Sequence, residues 1–319
     1  MNKAIFAALG VLVLVTISVV PNHASSFLPL TRVFLNGVPT PVYFNDGDSF
    51  RVMGGPMDGA KTRLAGFNTL ESFGAVHSWG TFTMFELYVV AKQATYNARR
   101  GTWHCTSDLS EDTYGRTLWY CPDLAVDDIR KGLAHVMSVD EEPGRIEYIR
   151  AQRLAIAERR GIWAHGVPDF VLTSLHAANE DPTRDHTYNR IVSTVDGHSE
   201  PWEHDENYPE CTTVCHQDTH VDPARVDAVT RQLREDQSLV TLLANIDNLH
   251  LAQAVSRYAR TDEMPTWMSE ETAHALTAHL APIKASGAFG TITTVQGACH
   301  LYVPFNRRFG IRRASCLGH

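Results

Sequence analysis

Three short segments in the first half of the chain combine carboxylates and arginines at spacings that suit phosphate chemistry. They are residues 45–50 (NDGDSF), 63–71 (RLAGFNTLE) and 114–118 (YGRTL). Attack on a phosphodiester builds negative charge on the phosphoryl oxygens, and a planar guanidinium group can meet that charge with two hydrogen bonds. Carboxylates can hold a hard divalent cation or activate a water molecule. Each segment alone is a weak signal, because Asp-Gly turns are common.

In this order, with a predicted helix between the second and the third, the segments resemble the staphylococcal nuclease (thermonuclease) family. The pattern of that family is Asp-Gly-Asp-Thr, then Arg-x-x-x-x-Asp-Thr-Pro-Glu, then Tyr-Gly-Arg. The resemblance continues through residues 130–136 (RKGLAHV) and 157–163 (AERRGIW), and it covers roughly residues 35–164. It implies a five-stranded OB-type β-barrel with three packed helices, and a Ca²⁺-dependent nuclease that cleaves DNA or RNA.

The resemblance assigns a role to most polar residues of the three segments. Arg63 and Arg116 match the pair that stabilises the transition state, and Glu71 matches the carboxylate that activates or orients the attacking water. Asp48 matches a carboxylate ligand of the metal, and the carbonyl of Thr69 matches a backbone ligand. The predicted catalytic residues are therefore the two arginines and the glutamate.

Asn68 is the main departure from the family pattern. It stands where the family has its second metal-binding Asp, so one negative charge is missing and metal affinity should fall. An amide oxygen can still ligate Ca²⁺, and Asn68 therefore remains a predicted metal ligand. Ser49 replaces Thr and Leu70 replaces Pro. Asp46 is expected to support the metal ligands from the same turn, and Tyr114 to line the nucleotide pocket.

The same residues also have ordinary structural interpretations. Asp46 is typical of a turn, Glu71 of a solvated loop, and Tyr114 of a packing residue. Arg63 can be a strand residue paired with an acid on the surface. The full set favours the functional interpretation, because a site that has lost its reaction has no reason to keep Arg63, Glu71 and Arg116 together.

Two other functions compete with the nuclease. The first is a binding module for nucleic acid or protein that has the barrel but no activity, and Asn68 is the change that would create it. The second is a structural or envelope protein that acts through its acidic C-terminal extension. Oligomeric state and the preference between DNA and RNA are not determined by the sequence.

Hydrophobic periodicity and turn residues predict the elements that must position these side chains. Short strands are predicted before residue 70, and Phe82, Phe85 and Val89 are the predicted core face of a following helix. A hairpin and two more helices complete a domain over residues 25–175. The predicted ranges are strands within 33–52 and at 62–67, a helix at 78–100, a hairpin from 103–105 and 117–121, and helices at 127–136 and 146–160.

The second half is less regular. Residues 176–222 form a predicted polar linker region that contains Cys and His, and residues 223–319 a mostly α-helical, disulfide-tied extension. Its tail is strand-like over residues 291–303 and ends in a basic cluster that either contacts phosphate near the active site or is a solvated patch. The members of that basic cluster are Arg307, Arg308, Arg312 and Arg313.

The N-terminus has the order of a secretory signal. Lys3 precedes an almost wholly apolar run over residues 4–20, and residues 21–24 (PNHA) break it. This predicts cleavage after residue 24, no stable membrane association afterwards, and a secreted or periplasmic protein. An uncleaved anchor is the alternative.

Export makes disulfides the favoured state of the six cysteines. We expect Cys105 and Cys121 to form a cross-strand bridge, and the tail cysteines Cys299 and Cys316 to bind Cys211 and Cys215, although local pairs are also possible. A zinc site that uses Cys211, Cys215 and neighbouring histidines is the alternative.

The charge of the chain is unusual for a protein that binds nucleic acid. It is −8 overall, with −2 over residues 25–175 and −7 over residues 176–319. A tight non-specific binder needs many phosphate contacts, whereas an enzyme needs only a local basic pocket. The composition favours catalysis with turnover over packaging.

Overall fold

The structure is a computed structural model that describes residues 31–73, 76–181 and 186–317. The predicted signal over residues 1–24 lies outside the described residues. The described part is a mixed α+β structure, as predicted. In the first half the elements are β1 (Arg32–Leu35), β2 (Val38–Thr40), β3 (Val42–Phe44), β4 (Phe50–Val52), β5 (Thr62–Leu64), β6 (Gly66–Thr69), β7 (His77–Ser78), α1 (Met84–Ala98), β8 (Thr102–Cys105), β9 (Thr117–Trp119), α2 (Pro122–Lys131), β10 (Ala134–Met137) and α3 (Ile146–Ala157). In the second half they are β11 (Phe170–Ser174), β12 (Thr187–Ser193), β13 (Ser199–His204), β14 (Thr213–His220), α4 (Pro223–Glu235), α5 (Asn248–Thr261), α6 (Glu270–Ala285) and β15 (Thr293–Leu301).

The strands of the first half pair in small sheets, and the described pairings do not close a barrel. The sheets are β2–β1–β8, β3–β4, β5–β9 and β6–β10. Strands β8 and β9 do not form the continuous antiparallel ladder of the predicted hairpin, since each has a parallel partner. They are joined by the antiparallel bridge between Thr106 and Tyr120 and by the Cys105–Cys121 disulfide beside it. A second bridge between Arg51 and Lys61 joins β4 to β5. Apolar side chains from these strands, except β2, share one core, among them Val33, Phe50, Leu64, Phe67 and Trp119.

Helix α1 presents a different face to the core from the one predicted. Its N-terminus is capped by Thr83, whose side chain accepts from the backbone of Glu86 in a capping box. The buried side chains are Leu87, Ala91, Ala94, Thr95 and Ala98, whereas Phe85 and Val89 are exposed. The prediction of Phe85 and Val89 as core was wrong because the small alanines, not the larger residues, let the helix lie close to the strands.

The predicted helix over residues 127–136 is also wrong at its end. Helix α2 begins at Pro122 and ends at Lys131, because Gly132 has the left-handed φ of +68° that terminates a helix. A side chain at Gly132 would collide with the carbonyl oxygen of Arg160. The chain then forms β10, which pairs with β6 and places His135 opposite Asn68.

The polar region over residues 176–222 contains three strands. Strand β12 pairs with β11 and β13, and β14 pairs with β15. Polar side chains such as Asn189 and Asp218 are fully buried there. Asn189 accepts a hydrogen bond from the backbone N–H of His176, and Asp218 accepts one from that of Asp169. Such partners allow burial of polar groups, so polarity was a poor guide to exposure. The extension is therefore helical over α4–α6 but contains strands as well.

All six cysteines form disulfides. The bridges are Cys105–Cys121, Cys211–Cys316 and Cys215–Cys299, which confirms the expected link between the tail and the pair at 211 and 215. The zinc alternative is wrong, since both of its cysteines are in bridges. Three disulfides indicate an oxidising, extracytoplasmic environment. Among the described residues, no helix has the length and apolar character that crossing a membrane requires.

The two halves of the chain share a sheet and a core. Strand β7 of the first half pairs with β15, with His77 opposite His300. One apolar cluster contains Leu70 and Trp79 together with Phe170 and Tyr302. The tail that follows β15 is therefore held against the first half of the chain.

A buried ionic network around His198 predicts how stability depends on pH. The two ring nitrogens of His198 lie 2.5 Å from Asp196 and 2.7 Å from Glu200, and Glu200 also pairs with Arg260. Burial opposes the charge, but the two carboxylates raise the pKa of His198 from 6.5 to about 9. Burial also opposes the charge of Glu200, whose pKa is nevertheless lowered by His198 and Arg260.

We expect the contribution of this network to the free energy of unfolding to be largest between about pH 4.5 and 6.5. The histidine contribution, about 3 kcal/mol, is complete below the unfolded pKa and is lost as the pH rises through about 9. The Glu200 contribution is complete above its unfolded pKa and is lost at lower pH. Chemical denaturation across pH checks this. His198→Gln should remove the decrease in the free energy of unfolding at alkaline pH, whereas the exposed His274→Gln should leave that decrease unchanged. An unchanged decrease in His198→Gln would contradict the assignment.

Candidate active site

The turn between β3 and β4 carries Asp48 into the space between β5 and β6. Gly47 permits this approach, because a Cβ at that position would lie 2.5 Å from the methyl group of Thr69. The carboxylate of Asp48 is buried, and its Oδ1 forms an ion pair with Arg63. Its Oδ2 accepts hydrogen bonds from the backbone N–H of Thr69 at 2.6 Å and from the Thr69 hydroxyl at 3.1 Å. Residues from two of the three predicted segments thus form one contact network.

Asn68 extends this network through its side-chain amide. Its Oδ1 accepts a hydrogen bond of 2.6 Å from Arg63. Its Nδ2 donates to the carbonyl of Thr69 at 3.0 Å and lies 3.1 Å from Nε2 of His135. The other ring nitrogen of His135 lies 2.9 Å from the carbonyl of Val136, so Nδ1 donates there and Nε2 accepts from Asn68.

The groups around Asn68 explain why an amide, and not a carboxylate, suits this position. Burial lowers the pKa of His135 to about 4, so its ring is neutral at ordinary pH. A neutral ring and a carbonyl both require a donor, which an amide supplies and a carboxylate does not. His135 itself was missed by sequence reasoning, because its strand was interpreted as the end of a helix.

Asp46 and Glu71 add two further carboxylates to the site. Asp46 accepts a hydrogen bond of 2.6 Å from Ser49, and burial together with Asp48 and Glu71 raises its pKa to about 7. Burial also raises the pKa of Glu71. Arginines oppose that rise, and Arg308 opposes it more than Arg63 or Arg116 does. Glu71 is thus a partly buried carboxylate within electrostatic reach of three guanidinium groups.

Arg308 is the second residue that sequence reasoning did not assign to this site. It belongs to the tail after β15, and its Nε donates to the carbonyl of Val303 at 2.9 Å. The basic cluster at the end of the chain was the only signal, and it did not show which arginine faces Glu71.

Arg116 and Tyr114 lie on the loop between β8 and β9. The guanidinium of Arg116 pairs with Asp112 at 2.6 Å, and it lies over the ring of Tyr114 at 5.5 Å. The Tyr114 side chain is largely exposed. Arg116 therefore acts on Glu71 through space, and neither loop residue contacts the network around Asp48 directly.

The predicted metal ligands fit a hard cation in part. The Asn68 and Thr69 oxygens accept hydrogen bonds from protein donors, and both Asp48 oxygens have partners. Within the described ranges, no group of three or more His, Cys, Asp or Glu has the arrangement of a metal site. Asp46, Asp48 and Glu71 nevertheless supply oxygen donors of the type that Ca²⁺ prefers, and a cation would relieve their mutual repulsion.

Comparison of the chain with protein-family models and with curated proteins gives no match. The resemblance to the staphylococcal nuclease family therefore depends on the motifs and on the contacts around them.

Proposed function

We propose that this chain is an exported nuclease that hydrolyses phosphodiester bonds of DNA or RNA. The observation that carries the proposal is the meeting of residues that are far apart in the sequence. Asp48 binds both Arg63 and Thr69 directly, and Glu71 lies within electrostatic reach of three arginines. Such a site combines a candidate base with positive charge for a phosphoryl group.

Each residue has a distinct role in the proposed reaction. Glu71 takes a proton from the attacking water, and its raised pKa brings it closer to the pH at which a base works best. Arg63 and Arg116 stabilise the charge that develops on the phosphoryl oxygens. Asp48 holds Arg63 in place, and Asn68 fixes the same guanidinium from a second direction.

A divalent cation, Ca²⁺ by the resemblance, would be held by Asp46 and Asp48. When bound it would neutralise charge on the phosphate. Thr69 and Asn68 would contribute oxygens only by exchanging the hydrogen bonds that they make now.

The sheets of the first half are proposed to be parts of an OB-type barrel. The two bridges that connect β8 to β9 and β4 to β5 support this, as does the single apolar core that the strands enclose. Export is likewise a proposal, supported by the signal-like N-terminus and the disulfides.

Cleavage of heat-denatured DNA and of RNA by the disulfide-bonded protein tests the proposal. Ca²⁺ is titrated against a chelator control. Cleavage that requires the metal and saturates supports the nuclease. Intact substrate at every metal concentration would reject it and favour a binding module, a function that the occupied oxygens of Asn68 and Thr69 also favour.

Asn68→Asp distinguishes these two functions. Without metal, the variant should lose about 1–3 kcal/mol of stability, because a carboxylate cannot donate to Thr69 or His135. With Ca²⁺, its melting temperature should rise more than that of the original chain, because the added charge strengthens metal binding. Thermal melts with and without Ca²⁺ measure both effects.

The matched control is Asn245→Asp, which adds the same charge at an exposed position. It should change neither stability nor the response to Ca²⁺. If Asn68→Asp also showed no response to Ca²⁺, no cation would be held beside residue 68, and the metal-dependent reaction would be placed elsewhere or lost.

A further inference from the structure

A pocket of about 220 Å³ lies beside Glu71, between helix α1 and the C-terminal tail. Its wall begins at Ser72 and Phe73, the residues that directly follow Glu71. Three aromatic and three basic side chains line it, which are Phe73, Tyr88, Phe309, Lys92, Arg308 and Arg313. No role in the proposed reaction explains this combination.

The tail is fixed in position by several independent contacts. The backbone N–H of Leu301 donates to the carbonyl of Val76 at 2.6 Å, next to the pairing of β15 with β7. The Cys211–Cys316 disulfide fastens the other end. Apolar residues of the tail pack with Val76 between these two points. These contacts hold the tail residues that form one wall of the pocket in a fixed position.

Among the described residues, no acid contacts the three cations of the pocket, and Arg308 acts on Glu71 only through space. Of the arginines in the tail, Arg307 forms two hydrogen bonds with Glu210, at 2.7 and 3.0 Å, and is neutralised. Arg308 and Arg313 donate instead to backbone carbonyls. Within the part of the chain that the structure describes, Lys92, Arg308 and Arg313 form no salt bridge. In a chain with a net charge of −8, three such cations in one pocket indicate an anionic ligand.

The aromatic rings of the pocket suit a flat ligand. Phe73 and Phe309 meet edge to face with centroids 4.9 Å apart, and Phe309 is 43% exposed. Lys92 lies over the ring of Tyr88 at 5.2 Å. Nucleobases stack on such rings while their phosphates bind the cations beside them. The volume is below the roughly 300 Å³ at which sites for drug-sized ligands begin, so it accommodates one base and no duplex.

A stripe of alternating rings and cations continues from the pocket along α1. Tyr88, Lys92 and Tyr96 follow at intervals of four residues on one face of the helix, and Arg100 lies just beyond its C-terminus. Tyr96 is 57% exposed, and Arg100 lies over its ring at 4.5 Å. The stripe therefore offers further rings for stacking and further cations for phosphates, beyond the volume that one base fills.

We propose that this pocket binds one unpaired nucleotide of a single-stranded nucleic acid adjacent to the scissile phosphate, and that the α1 stripe binds the nucleotides that follow. Its placement next to the reacting phosphate rests on the proposed function. The bound base stacks among Phe73, Tyr88 and Phe309, and its phosphate contacts Arg308, Arg313 and Lys92. The tail thus selects single strands for the site of the first half.

Binding of a fluorescein-labelled oligothymidylate, followed by anisotropy in a chelator, tests the proposal without cleavage. Phe309→Ala should weaken affinity by about 5- to 150-fold, the loss of one stacked base. Arg308→Gln and Arg313→Gln should each reduce the slope of log affinity against log salt by about 0.7. Tyr96→Ala should weaken binding of longer oligomers more than of short ones.

The tail offers a matched control at a position that does not line the pocket. Arg312→Gln removes an exposed charge of the tail and should bind as the original chain does. Phe309→Tyr keeps the ring and should retain affinity, which separates stacking from loss of structure.

The outcomes separate this proposal from the nuclease itself. If the protein cleaves DNA but Phe309→Ala and Arg308→Gln behave like the controls, the nuclease stands and the subsite is rejected. If those variants lose affinity although no cleavage is seen, the subsite stands and the catalytic proposal fails. Equal affinity for a duplex of the same length would also reject the subsite.

Discussion

Glu71→Gln is expected to reduce cleavage of heat-denatured DNA by about 10²- to 10⁴-fold, the contribution of a positioned general base. The amide has the shape of the carboxylate but cannot accept the proton of the attacking water. Glu71 is partly buried, and Arg63, Arg116 and Arg308 all act on its charge, so the substitution removes a carboxylate that three guanidinium groups stabilise through space. Single-turnover rates at saturating Ca²⁺ measure the effect on the chemical step.

Binding and stability should change little in the same variant. Oligothymidylate affinity in a chelator should stay near that of the original chain, because phosphate binding is assigned to the arginines. Glu142→Gln, at an exposed position outside the network around Asp48 and Glu71, is the matched control and should cleave normally. A Glu71→Gln protein that cleaves at the original rate would show that another group activates the water.

Arg63→Gln is expected to affect both activity and stability. Loss of a donor to the transition state should reduce the rate by about 10²- to 10³-fold. It also leaves Asp48, whose side chain is 3% exposed, without its cation, and removal of one partner from such a pair costs about 3 kcal/mol. Cleavage assays and chemical denaturation measure the two effects separately.

Arg116→Gln provides the comparison, since its pair with Asp112 is partly exposed. We expect a similar loss of rate with little loss of stability. The double variant Arg63→Gln with Asp48→Asn should regain much of the stability, because no unpaired charge remains, yet stay inactive. Recovery of cleavage in the double variant would mean that Arg63 only stabilises the fold.

Part of the site could be predicted from the sequence because local patterns carry it. Asp48 follows a Gly in a turn, and Gly47 is needed there because Thr69 approaches so closely. Arg63 lies in β5 and Glu71 comes two residues after β6. Only eight positions separate them, so local chain geometry limits how far apart they can lie. The first half has only two cysteines, so their bridge could be predicted, whereas the sequence left open how Cys299 and Cys316 pair with Cys211 and Cys215.

Other parts could not be predicted because distant contacts decide them. His135 contacts Asn68 because Gly132 ends α2 and the chain then forms strand β10. The pairing of β10 with β6 brings together these two residues, which are 67 positions apart. Arg313 and Phe73 are 240 positions apart and meet through the β7–β15 pairing. The strand-like tail predicted over residues 291–303 is confirmed as β15, whereas β12, β13 and β14 were missed because their polar side chains are buried with partners that the sequence does not reveal.

The sequence by itself determined the α+β class, the Cys105–Cys121 disulfide, and the short motifs that suggest phosphodiester chemistry. These depend on residue types and on spacings of a few positions, where backbone geometry leaves few choices. Only the tertiary structure decided that Asn68 binds His135, that α1 exposes its aromatic residues, and that the tail reaches Glu71. Each of these depends on which surfaces pack together, because burial and hydrogen-bond partners are set by contacts across the whole chain.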